Sequence, residues 1–195
     1  MAIIEQNVAN VFAGPTVLYL APAHTAPPSL ASVPSANQWT TAGFQPCGYT
    51  EDGWEFVTTP SVKDFTPDEA ISPIIQLVTG IKVEIKGTLW ENTLENLSKA
   101  IALATLSDPA LGIKTLSVGS GNPLAEYALG FQGPAPGGQT DRVINVWRVN
   151  VTSAISQKYQ RKDISKLACT FTALTDSTKP AGSDVYQVVD FNAGS

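Results

Sequence analysis

Apolar and polar residues alternate most regularly between Asp52 and Leu103, and that stretch predicts two long strands, an acidic loop between them and a short helix. The first strand, Trp54 to Phe65, runs into Thr66-Pro67-Asp68-Glu69-Ala70-Ile71-Ser72. There Pro67 removes a backbone donor and the paired carboxylates favour water, so the chain must turn. It returns through Pro73 to Lys86, where Ile75, Leu77, Ile81, Val83 and Ile85 share one parity and Gln76, Lys82, Glu84 and Lys86 the other. Period-2 alternation of this kind predicts a strand with one face buried and one wet. The hairpin so defined occupies residues 53–90. Strands of roughly a dozen residues exceed the usual 5 to 6. At about 3.3 Å per residue they reach about 40 Å, against a radius of gyration of about 16 Å for a domain of this size. Such an arm either wraps the domain or projects beyond it, and a projecting half-apolar hairpin needs neighbours for its edges.

The remaining pattern is strand and loop around one helix. After Trp90, Asn92 suits an N-cap with Glu95 three residues on, and Leu94, Leu97 and Ile101 fall on one helical stripe; these three are the expected core anchors of a helix over 92–104. Asp108-Pro109 then turns the chain out of helix. Short strands are expected at Thr16 to Leu20, Ile113 to Val118 and Tyr127 to Phe131, and closing strands at Arg142 to Val151 and Leu167 to Leu174. Residues 21–41, rich in Pro, Ala and Ser, read as a surface loop. Residues 1–13, with Ile3, Ile4, Val8, Val11 and Phe12, read as an N-terminal arm, and 176–195 as a C-terminal arm. The expectation is a single, mainly β domain over 1–195: a β-sandwich with one flanking helix.

Composition sharpens this. Charged residues make up 15% of the chain, against a mean of about 25%, which fits a surface covered by copies of itself. Net charge is −5, the wrong sign for a groove that holds DNA. Cys47 and Cys169 form no CxxC or Cys/His cluster, so neither a metal site nor a disulfide framework is indicated. No run reaches the roughly 18 apolar residues of a membrane span, and Met1-Ala2-Ile3-Ile4-Glu5 does not open as a secretory signal. A protein made and kept in a cytoplasm is expected.

Catalytic patterns are weak. His24, the only histidine, lies in the Pro-rich loop away from any nucleophile motif and reads as a solvated loop residue. Gly119-Ser120-Gly121-Asn122 is neither a P-loop nor a nucleophile elbow. Asp68 and Glu69 are adjacent at a loop tip, where they repel each other rather than frame a sugar. Asn150-Val151-Thr152 fits a glycosylation sequon by chance. No catalytic residue, metal or cofactor is assigned, and the chain does not read as an enzyme.

The order of several segments resembles the major tail tube proteins of long-tailed, siphovirus-type bacteriophages. They are Tyr19-Leu20-Ala21-Pro22, a small-residue loop, Gly48-Tyr49-Thr50-Glu51-Asp52-Gly53, the long strand and acidic loop, Val83 to Leu97, and Thr170-Phe171-Thr172-Ala173-Leu174-Thr175-Asp176. The resemblance implies hexameric rings stacked into a tube, with each subunit giving its sheet to an inter-subunit β-barrel. It further implies passage of DNA through the lumen without specific binding, and tape measure, tail tip and tail terminator proteins as partners in the virion tail. The loop Thr66, Pro67, Asp68, Glu69, Ala70, Ile71, Ser72 would then reach a neighbouring ring. Glu55, Asp64 and Glu84 are candidates for the lumen, with Lys82 and Lys86 outside it or neutralised. Two other readings stand beside this one: a tube protein of a contractile tail or secretion machine, and a monomeric β-sandwich that binds carbohydrate or a receptor. Trp39, Trp54, Trp90 and Trp147 are too dispersed to favour a sugar platform.

Overall fold

The structure, a computed structural model, describes residues 14–69, 71–137, 139–151, 154–157 and 164–192. The N-terminal arm 1–13, Ala70 of the acidic loop, Thr152 of the sequon and the last three residues of the C-terminal arm lie outside them.

Ten strands and two short helices follow one another as β1 (Val17–Pro22), α1 (Ala36–Thr41), β2 (Gln45–Pro46), β3 (Thr50–Phe65), β4 (Ile75–Leu89), α2 (Leu94–Ala100), β5 (Ala104–Ala110), β6 (Ile113–Val118), β7 (Glu126–Pro134), β8 (Gln139–Val151), β9 (Leu167–Ala173) and β10 (Tyr186–Asn192). Eight of the strands form one antiparallel sheet in the order β2-β1-β7-β8-β9-β4-β3, with β10 also paired to β8. β8 is long enough to serve two neighbours on one side, β10 along Gln139 to Val146 and β9 along Val149 to Val151. The sheet therefore forks and curls. Trp54 and Phe56 of the terminal strand β3 meet Phe131 of β7 edge-on, with ring centroids 5.7 and 4.9 Å apart. The ladder does not close: β2 and β3 remain its two ends.

Two cores lie on the two faces of β1. Leu18 and Leu20 join Ile85, Leu89, Leu129, Phe131, Leu167 and Phe171 within the curl. Tyr19 and Ala21 join Trp39, Phe44, Val143 and Phe191 on the other side. Trp39 stacks on Tyr19 at 4.8 Å, and its indole N–H donates to Gln132 Oε1 at 2.6 Å. The close approach of Trp39 to the sheet explains Gly130: a Cβ there would stand 2.2 Å from the indole ring.

The second core corrects the reading of 21–41 as a surface loop. Ala21 and Pro22 belong to β1, and the far end of the segment is α1. Ser35 and Gln38 build a capping box that starts α1 directly after Pro34, and Trp39 then carries the helix into the core. So two helices, not one, flank the sheet. The C-terminal arm likewise contains a strand, β10, whose Asp190 takes both Nε and Nη2 of Arg142 on β8 at 2.6 and 2.7 Å.

The helix expected over 92–104 is α2 alone. Thr93, rather than Asn92, is the N-cap and accepts from the Asn96 N–H at 3.1 Å, while the Asn92 amide is engaged with Ser165 and Gln157. The helix ends early because Ile101 is extended and Leu103 has φ +62°, a turn held by Asn122 donating to its carbonyl at 2.8 Å. Ala104 then opens β5, which carries Asp108-Pro109 through a register irregularity instead of turning there. β5 and β6 form a separate two-stranded ribbon. Leu97 is buried in the first core, and Leu94 and Ile101 pack against it from partly buried positions. Trp90, just before α2, is exposed.

Candidate assembly interface

β3 and β4, of 16 and 15 residues, make the longest ladder among the described residues; β3 begins four residues before, and β4 ends three residues after, the bounds read from the pattern. At the base, Asp52 and Gly53 take φ +57° and +75° in a bulge that turns Trp54 inward. At the tip, the Ile74 N–H donates to the Phe65 carbonyl at 3.0 Å and closes the acidic loop. Within that loop Thr66, Asp68, Glu69, Ile71 and Ser72 are exposed and Pro67 is half-buried.

Only the base of the arm is embedded. β9 pairs β4 from Glu84 to Leu89 and no further, and β3 ends the sheet. Beyond that point both outer edges of the arm run without a partner strand among the described residues.

The single parity read for Ile75, Leu77, Ile81, Val83 and Ile85 is broken in the structure. The register steps from Ser61↔Gly80 to Val62↔Val78, leaving Thr79 as an extra residue on β4. Directly paired residues share a face, and β3 alternates without interruption from Trp54 to Phe65. Thus Trp54, Phe56, Thr58, Pro60, Val62 and Asp64 share the inner face with Ile85, Val83, Ile81, Val78 and Gln76. The outer face carries Glu55, Val57, Thr59, Ser61, Lys63 and Phe65 with Lys86, Glu84, Lys82, Gly80, Leu77 and Ile75. The bulge moves Ile75 and Leu77 to the face opposite Ile81. A period-2 count cannot see an inserted residue when Thr79-Gly80 is silent in the pattern.

The same geometry divides the lumen candidates. Glu55 and Glu84 lie on the outer face, Asp64 on the inner. Glu84 sits between two lysines, with Lys82 Nζ on Oε1 at 2.7 Å and Lys86 Nζ on Oε2 at 3.5 Å. The hydrogen bond from Lys82 leads the interactions that hold its carboxyl below the usual glutamate range. Continuing across the sheet, Thr172 stands beside Glu84 and Thr170 beside Lys86, so the outer face at the arm's base is polar and its charges compensate one another.

On the inner face at the base, an apolar slot opens among Trp54, Phe56, Phe131, Ile144 and Pro134. Trp54 also covers Gly87, where a Cβ would stand 2.4 Å from its ring. Its indole N–H is buried without a partner among the described residues.

Elsewhere the structure brings together charges that the sequence did not. His24, with φ +64°, holds Asp176 across 3.5 Å, the two side chains being 55% and 2% exposed; it is not a merely solvated loop residue. Asp176 also accepts from the Thr178 N–H and hydroxyl at 3.0 and 2.8 Å, and these bonds keep its carboxyl below the usual range. Arg148 grips Glu126 with two bonds of 2.7 Å. Cys47 and Cys169 are free and buried, and burial pushes their thiols up to about 11 and about 12. Among the described residues no group of His, Cys, Asp and Glu could hold a metal ion, and no helix is long and apolar enough to cross a membrane.

No protein-family model matches the chain, and no curated protein matches it.

Proposed function

We propose that the chain is a structural subunit of a bacteriophage tail tube of the long-tailed type. Copies join as hexameric rings, their sheets meet edge to edge in a shared β-barrel, and stacked rings form the conduit through which DNA leaves the virion. The observation that carries this reading is the arm. Among the described residues it has both edges open and apolar side chains uncovered beyond Val83, with Ile75, Leu77, Val78 and Ile81 exposed at 59, 54, 64 and 55%. An isolated chain gains nothing from such a ribbon, since unpaired, half-apolar strand edges invite association; a closed barrel between subunits removes the edges.

The polar outer face at the arm's base suits the lumen wall. Glu84 bridges Lys82 and Lys86, and Glu55 stands opposite Lys86, so a duplex passing over Thr170, Thr172 and these side chains meets no unpaired cationic row. Each phosphate bound by Lys or Arg would add affinity and salt dependence, which opposes transit. In this reading the acidic loop Thr66 to Ser72 reaches an adjoining ring, with tape measure, tail tip and tail terminator proteins as further partners.

Electron microscopy and light scattering of the purified chain at high concentration, with and without an initiating tail tip complex, test this. Rings or tubes are the expected product. Compact monomers under both conditions would overturn the reading and return the chain to the class of monomeric binding modules.

A further inference from the structure

We infer that the Thr79 bulge divides the arm into two functional halves: a base whose outer face lines an open space, and a distal half, Ile75 to Ile81, inserted into a second copy of this chain and covered on both faces. The inference rests on the tube reading and adds which part of the arm makes the contact between copies.

Three observations converge on the distal half. First, with strict alternation Ile75, Leu77 and Ile81 would share the inner face and leave Val78 as the one apolar side chain that the distal part of β4 turns outward. With the extra residue, Val62, Val78 and Ile81 are uncovered on the inner face and Phe65, Ile75 and Leu77 on the outer. A lumen wall requires one wholly wet face, and here each face carries exposed apolar side chains. Second, Ile75-Gln76-Leu77-Val78-Thr79-Gly80-Ile81 contains no charge and no Pro, the composition of a segment that accepts another strand. Among the described residues β4 has no neighbour on its β9 side above Glu84, so among them the backbone groups of that edge are available for strand addition. The other edge, β3, carries Pro60, Lys63 and Asp64, residue types that discourage pairing. Third, the occupant must itself be apolar on two sides and poor in charge. A second copy supplies such surfaces in the slot of Trp54, Phe56, Phe131 and Ile144 and in the exposed Leu111, Ile113 and Val118 of the β5–β6 ribbon.

The contrast with the base is sharp. There, Glu55, Glu84, Lys82 and Lys86 crowd one outer face, and placing all four against a partner would bury more charge than the distal half does with Lys63 and Asp64, one on each face near the tip. The base therefore keeps its outer face open in the assembly while the distal half does not.

Single-cysteine reporters test this in the full chain, because Cys47 and Cys169 are buried and silent towards a soluble thiol reagent. Leu77→Cys reports the outer distal face, Val78→Cys the inner distal face and Glu55→Cys the outer face of the base. Labelled with a small maleimide, all three should react freely in the subunit. In sedimented assemblies, labelling at Leu77→Cys and Val78→Cys should slow roughly tenfold or more, because it then requires local opening, while Glu55→Cys stays reactive. Protection of only one distal position, of neither, or of all three with Glu55→Cys included would overturn the division while leaving the tube intact. A parent chain that never assembles would overturn this inference together with the tube reading.

Discussion

The two halves of the long hairpin are built from the same two strands yet obey opposite rules. At the base, Trp54, Phe56, Val83 and Ile85 face a core, and Glu55, Glu84 and Lys86 face water. Beyond Val83 the alternation continues, but no core lies beneath it, and past Thr79 the bulge reverses which residues go where. The base is held by the chain's own contacts, so its sequence can be judged against the fold. The distal half has no such contacts among the described residues, and in the proposed tube a second copy supplies them. Stability and assembly should therefore separate along this ribbon: substitutions in the cores lower stability first, and substitutions past Val83 change association while the subunit stays folded.

The largest effect should come from the core that the arm does not touch. Trp39→Ala removes a fully buried indole from between Tyr19 and Phe44 and orphans Gln132 Oε1, and should cost about 3 to 5 kcal/mol. Leu97→Ala should cost about 2 to 5 kcal/mol, with soluble yield falling before any assembly step is affected. Urea denaturation measures both. A loss within about 0.5 kcal/mol, the range of ordinary surface changes, would show that α1 or α2 is not seated on its core and would erase the contrast with the arm.

Deletion of Thr66 to Ser72 probes the opposite end. The loop is exposed and closed by one backbone bond from Ile74 to Phe65, so its removal sacrifices little packing. The subunit should unfold within about 1 kcal/mol of the parent, the scale of a single net hydrogen bond, while polymerisation fails. Tubes of ordinary length from the deleted chain would place the contact between rings elsewhere.

How much of this was legible depends on where each signal is stored. The hairpin, the helix near Leu94 to Ile101 and the closing strands β8 and β9 announce themselves by period, because each has one face on a core. α1 was hidden because Pro, Ala and Ser dominate its approach; the signal that could have found it is Ser35 followed three residues later by Gln38, ahead of Trp39. The end of α2 depends on Leu103 adopting a positive φ and on Asn122, nineteen residues away, bonding to it, which no local pattern encodes. β10 was missed because its burial is slight and its partner, β8, is distant in sequence. The candidate lumen residues failed to share a face for a different reason: Glu55 and Asp64 are an odd number of positions apart on one strand, so they could never have faced the same way. That much was readable from parity alone.

The smallest effect, and the most discriminating, concerns Glu84. Its carboxyl is held below the usual glutamate value, first by the hydrogen bond from Lys82, so the ionised form is favoured in the folded chain. The contribution is therefore present above the ordinary glutamate range and is lost as pH falls through the lowered folded value. Glu84→Gln should abolish that part of the acid dependence of the melting temperature by lowering the neutral-pH value while leaving the low-pH value unchanged, and the neutral-pH loss should be small, since the site is open to solvent and screened. In assembled tubes the same substitution should have a consequence that the subunit does not reveal. It leaves Lys82 and Lys86 without their shared carboxylate, and each subunit then presents an excess of cations on the face assigned to the lumen. Retention of short duplex DNA by Glu84→Gln tubes should rise as ionic strength is lowered, because each phosphate neutralised by a lysine releases counterions, whereas parent tubes should hold the duplex weakly at every salt concentration. Equal retention by both, across that range, would mean that the outer face of the arm's base does not meet the DNA, and the ion-paired triad would then belong to the outside of the tube.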